Sequence, residues 1–128
     1  MPTEADLWNF LPWGYLLTVC IELPILWLGL SQPHSIRTRL IAGFGLTAIT
    51  YPIVILVLPV LVWQPFGRIA YLSVAETFAP LVECLVFYLA FEQEKRSANV
   101  ARDMATILAA NVCSFVGGEF MISHWFSA

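Results

Sequence analysis

The sequence predicts an all-α integral membrane protein: four transmembrane helices in an up-down antiparallel bundle, several of them kinked by proline. Three observations carry that expectation. Four apolar stretches, each near the ~20 residues that cross a ~30 Å hydrocarbon core, fill most of the 128 positions. Only 12% of the residues are charged, about half the share of a soluble domain. The connections between the stretches are short, and short connections favour antiparallel neighbours.

The elements follow in order. Residues 1–6 are acidic and hold no Lys or Arg. A secretory signal needs a positive start, so the first stretch is expected to stay as a span. That span covers about 11–30, followed by the turn Ser31-Gln32-Pro33-His34-Ser35. The second covers about 40–63 and ends at Gln64-Pro65-Phe66-Gly67, where Pro and Gly break the helix. The third covers about 69–91. Residues 92–99 are the most charged part of the chain, and the fourth span covers about 104–126, with Ala101 and Arg102 extending it inward. The whole chain, 1–128, is expected to form one transmembrane domain.

Charge sets an expected orientation. Arg37 and Arg39 lie in the first connection, Lys95, Arg96 and Arg102 in the third, and only Arg68 in the second. The positive-inside rule then places connections one and three in the cytoplasm and both termini outside. Trp8, Trp13, Trp63, Phe66, Tyr71, Trp125 and Phe126 fall at the outer boundary, where aromatic belts form. Small size and brief connections point to a prokaryotic inner membrane, with both termini on the periplasmic side.

The polar residues inside the spans are the candidate chemistry. Glu22, Glu76, Glu83 and Glu119 have no Lys or Arg within the same stretches. A carboxylate in hydrocarbon costs several kcal/mol unless it is protonated, paired, hydrated or bound to a cation. At ~1.5 Å per residue, Glu22, Glu83, Thr50 and Tyr51 lie near the midplane, and Glu76 and Glu119 lie nearer the outside. Glu76 and Glu83 are seven positions apart and so share a helix face. These four glutamates are the expected cation- or proton-binding residues, with Thr50, Tyr51, Asn111 and Ser114 as supporting polar groups.

Pro24, Pro52, Pro59 and Pro80 lie within spans. Each lacks an N–H and frees a carbonyl about one turn earlier. Freed carbonyls beside carboxylates suit a cation or hydronium site; the plainer reading is a kink alone.

In the fourth span, Ala101, Ala105 and Ala109, and Ala110, Ser114 and Gly118, form rows of small residues. Such rows let helix backbones approach closely. Asn111 on the second row is expected to hydrogen-bond across helices. Cys20, Cys84 and Cys113 fall in three different spans and read as small apolar residues at helix contacts. His34 and His124 are not spaced as metal ligands on one helix, which argues against a histidine metal site. Glu92-Gln93-Glu94-Lys95-Arg96 and Arg102-Asp103 read as a solvated cytoplasmic face. No nucleic-acid patch and no enzyme signature is present: the chain is not expected to be an enzyme. The sequence names no cofactor and no metal.

Two functions fit. The first is proton- or cation-linked transport, with a midplane glutamate exchanging a proton for a small cation, in a bilayer-embedded homo-oligomer. The second is a non-catalytic subunit or assembly factor of a larger complex, its acids pairing with bases on unlike membrane subunits. For the first span alone, Glu22 seven positions after Tyr15 in Gly14-Tyr15-Leu16 resembles the pattern of small multidrug resistance transporters. The resemblance implies that Glu22 is a shared proton and substrate site lined by Tyr15 or Trp63. The chain departs from that pattern in its three further membrane acids, its four intramembrane prolines and its strong orientation bias.

Overall fold

The computed structural model describes residues 2–92 and 99–126. Lys95, Arg96, and the side chains of Trp125 and Phe126 lie outside the described part. Among the described residues all regular structure is helical. Four helices are long and apolar enough to cross a membrane: α1 (Glu4–Gly29), α2 (Ile36–Phe66), α3 (Arg68–Glu92) and α4 (Val100–Phe126).

Local chemistry explains where the helices begin and end. Helix α1 starts earlier than hydropathy suggests because Thr3 and Asp6 form a capping box: each side chain bonds the other's backbone N–H, at 3.2 and 3.0 Å. Its last turn holds no basic residue. The C-terminal carbonyls are met instead by a cation from the next helix. Arg39 donates to the carbonyls of Trp27, Leu30 and Ser31 at 2.7, 3.0 and 2.8 Å, and Arg102 of α4 donates to that of Gly29 at 2.7 Å. Two guanidinium groups thus complement the negative end of one helix.

Helix α2 starts at the N-cap Ser35. It runs through the segment expected to be a turn, and reversal waits for Gly67 at φ 94°, a conformation that favours glycine. Around Pro59 its hydrogen bonding shifts to the five-residue π pattern, over Ile53–Val57 and Pro59–Trp63. In that pattern a donor at position 59 would reach the carbonyl of Val54. Proline supplies no N–H, and the Tyr71 hydroxyl of α3 donates to that carbonyl at 2.9 Å. Tyr71 is therefore buried, 6% exposed, and does not belong to an outer aromatic belt.

Apolar clusters flank a polar middle. One joins Leu26, Leu30, Ala42, Leu46, Phe87, Ile107 and Ala110. Two smaller ones join Leu7, Phe10 and Ile55, and Leu58, Tyr71 and Ala75. Helix α4 packs on α1 through Thr106 against Gly29 and Gly117 against Ile21; a Cβ at either glycine would stand 2.5 Å from its neighbour. The row Ala101, Ala105, Ala109 faces outward, so the close contact runs along the other side of the helix. Cys20 and Cys113 are exposed and Cys84 is half-buried. The first two therefore point away from helix contacts.

Candidate functional site: a glutamate-lined cavity

Helix geometry brings the four span glutamates to one place. A cavity of about 90 Å³ between the helices is lined by Glu22, Glu76, Glu83 and Glu119, and also by Thr50, Tyr51, Asn111 and Ser114. That volume holds a handful of waters. The remaining wall is largely apolar and includes Phe10, Val54, Ile55 and Ala75.

Glu22 and Glu83 are the most deeply placed, 2% and 4% exposed. Each meets a threonine of α2. Thr47 donates to Glu22 at 2.7 Å, and Thr50 lies 3.0 Å from Glu83. Thr47 and Thr50 are three positions apart and so share one helix face. Helix α2 is therefore the bridge between the carboxyl of α1 and that of α3. Thr47 escaped the sequence reading because a lone threonine in an apolar run carries little signal. Its spacing from Thr50 was the available clue.

Thr50 has a further property. Its hydroxyl is also 3.2 Å from the Leu46 carbonyl. A hydroxyl carries one hydrogen and two acceptor lone pairs. When it donates to ionised Glu83, the carbonyl bond weakens. When it donates to the carbonyl, a protonated Glu83 donates to it. The site can thus hold Glu83 in either protonation state by turning one O–H bond.

At another edge of the cavity Glu119 is ion-paired with Arg68, the side chains being 27% and 49% exposed. The span acids are therefore not all without an internal cation. The partner of Glu119 comes from the start of α3, just outside the apolar stretch that the sequence defined. Glu76 is half-buried and lines the same cavity.

Tyr51 reaches the cavity because Gly14 lets it. A Cβ at Gly14 would overlap the Tyr51 hydroxyl at 1.7 Å. Asn111 is buried; its amide donates to Ile107 of its own helix at 2.9 Å and also reaches the Glu83 carboxyl of α3 across the cavity. Ser114 donates to the Asn111 carbonyl at 3.1 Å and also reaches the Glu22 carboxyl of α1. Tyr15 and Trp63 do not line the cavity. Tyr15 donates to the Phe44 carbonyl at 2.8 Å, and Trp63 stacks on Tyr71.

A second polar cluster lies where α1, α3 and α4 end or begin, and the sequence reading missed it. His34, Glu92 and Asp103 are 3%, 5% and 0% exposed. They are buried, not part of a solvated face. Glu92 is drawn in by a π segment, Tyr88–Glu92, at the end of α3. In a plain α-helix, five residues on from buried Phe87 would stand about 140° round the axis. A π turn closes over five residues and returns Glu92 towards the inner side.

Compared with known proteins, the chain matches no family model, no curated protein and no solved structure.

Proposed function

We propose that the chain is a four-span membrane protein whose glutamate-lined cavity carries protons, or exchanges protons for small cations, across a prokaryotic inner membrane. The observation that carries this reading is the convergence of all four span glutamates on one cavity. An ionisable group inside a membrane bundle is costly and by default functional; four around one small cavity with room for a handful of waters form a relay. Glu22 and Glu83 are the central exchange pair, held by Thr47 and Thr50. Glu76 and Glu119 form the outer access path, with Arg68 setting its charge.

The up-down arrangement has support from which residues meet. Along α1 and α2 the partners run 14 with 51, 22 with 47 and 27 with 39. Helices α3 and α4 meet at 68 with 119 and at 84 with 104. Rising numbers on one helix meet falling numbers on the next. Both termini then lie on the side given by the positive-inside rule, the periplasm.

The subunit reading invoked bases on a partner for the acids. Arg68 on Glu119 and threonine hydroxyls on Glu22 and Glu83 reduce that need, which favours transport by a self-contained chain or homo-oligomer.

The test uses purified protein in liposomes loaded with a pH-sensitive dye, with an imposed potassium diffusion potential to drive protons. Wild type should acidify or alkalinise the lumen in the direction of the potential. Glu22→Gln and Glu83→Gln should each slow that flux at least tenfold while eluting as wild type. Wild-type flux in both variants would sink the proposal.

A further inference from the structure

We infer that His34, Glu92 and Asp103 form a binding site for one divalent transition-metal ion, with Zn²⁺ the best fit, at the end of the bundle away from Arg68. This site is separate from the glutamate cavity, and the inference does not rest on the transport reading.

The donor set comes first. His34 Nε2 is 2.8 Å from Asp103 Oδ2 and 3.4 Å from Glu92 Oε1, and one donor atom from each residue lies within 4.8 Å of the others. A tetrahedral zinc with bonds of ~2.0–2.1 Å separates its ligands by roughly 3.3 Å. The Glu92 spacing already meets this. The Asp103 spacing needs an opening of about half an ångström. One imidazole with two carboxylates is a nitrogen–oxygen set suited to Zn²⁺ or Mn²⁺ rather than to soft ions.

The second observation is the unmet polarity. Glu92 is 5% exposed, yet among the described residues no donor satisfies either of its carboxyl oxygens; the groups that face it are the other two ligands, His34 Nε2 at 3.4 Å and the Asp103 carboxyl. Native proteins seldom leave such groups unpaired. An ion would replace the contact that Glu92 and Asp103 make with each other, and a bidentate Glu92 would complete four ligands.

Charge is the third. Among the described residues, the cations nearby are already used. Arg39 and Arg102 donate to the carbonyls that end α1. Two buried carboxyl groups face each other beside the His34 imidazole, and a divalent ion would offset the charge they carry when ionised.

The surroundings also hold the ligands in place. The Ser31 N–H and hydroxyl donate to the two oxygens of Asp103 at 2.6 and 2.9 Å, and the Asn99 N–H donates to Ser31 Oγ at 3.2 Å. The His34 ring stands edge-on to Phe87, with centroids 5.1 Å apart. Such outer partners fix ligand orientation and raise metal affinity.

The competing arrangement is a protonated His34 shared between the two carboxylates, with no metal. Equilibrium dialysis of detergent-purified, chelator-stripped wild type against ZnCl₂ separates the two. One tightly held zinc per chain is expected, and X-ray absorption at the zinc edge should show nitrogen and oxygen neighbours without sulfur. Glu92→Gln and His34→Gln should weaken binding more than a hundredfold, and Ser31→Ala by ~10–100-fold. No stoichiometric zinc in wild type, or sulfur in the zinc shell, would overturn the site. If the ligand variants fail to fold, the wild-type stoichiometry and absorption spectrum still decide. Folded ligand variants that bind zinc as wild type does would also overturn it.

Discussion

At the scale of single residues, what matters is which polar atom each buried group meets. Thr50 has one hydrogen for two acceptors, at 3.0 and 3.2 Å. Thr50→Val should cost about 0.6–2 kcal/mol in stability but slow proton flux out of proportion, because Glu83 loses its reversible partner. Parallel unfolding and liposome flux assays check this; equal small losses in both would leave Thr50 a packing residue. Gly14→Ala places a methyl on the Tyr51 hydroxyl, an overpacking worth ~1–3 kcal/mol. A lower melting temperature, with Tyr51→Phe in the same background partly restoring it, is the expected result. The glutamates were legible in the sequence because a carboxyl in an apolar run is a loud signal. Thr47, His34 and Asp103 were not, since their roles depend on partners 25, 69 and 72 positions away, which no local pattern encodes.

Elements show where helical periodicity fails as a guide. The number of long helices and their approximate middles follow from hydropathy. Their ends do not, because caps and borrowed cations decide them. Arg39 closes a helix to which it does not belong. The π segments are the other blind spot. Proline in a run of Val, Ile and Leu reads as a kink, whereas here the chain widens its turn and recruits Tyr71 to the Val54 carbonyl. Tyr71→Phe should therefore destabilise the protein by about 1–2 kcal/mol. In a Pro59→Ala background, where an N–H is restored, the same change should cost clearly less. A double-mutant cycle reads that coupling, and additive losses would mean that the hydroxyl and the proline are unrelated. The same widening at Tyr88–Glu92 explains why a residue that looked like part of a charged surface is buried.

On the scale of the whole molecule, the four-span arrangement makes a direct claim about sidedness. In a variant with its three cysteines replaced, Gln32→Cys and Gln64→Cys, both at exposed positions, should label from opposite faces of a sealed membrane. An impermeant maleimide should reach position 32 from the cytoplasmic face alone and position 64 from the periplasmic face alone. Labelling of both from one side would overturn the topology. The single-residue link at Gly67 bears on how such a chain is made. Helix α2 ends at Phe66 and α3 begins at Arg68, so under the proposed membrane arrangement neither would enter the bilayer without drawing the other behind it. Arg68 would then ride at the leading tip of that hairpin. Its partner Glu119 lies 51 positions later, which at ~5–20 residues per second means a wait of roughly 3–10 s on the ribosome. During that interval the guanidinium lacks the carboxylate that meets it in the folded chain, which α4 brings. The ion pair thus records the arrival of α4, and a product truncated before α4 would lack the carboxylate that Arg68 meets in the folded chain.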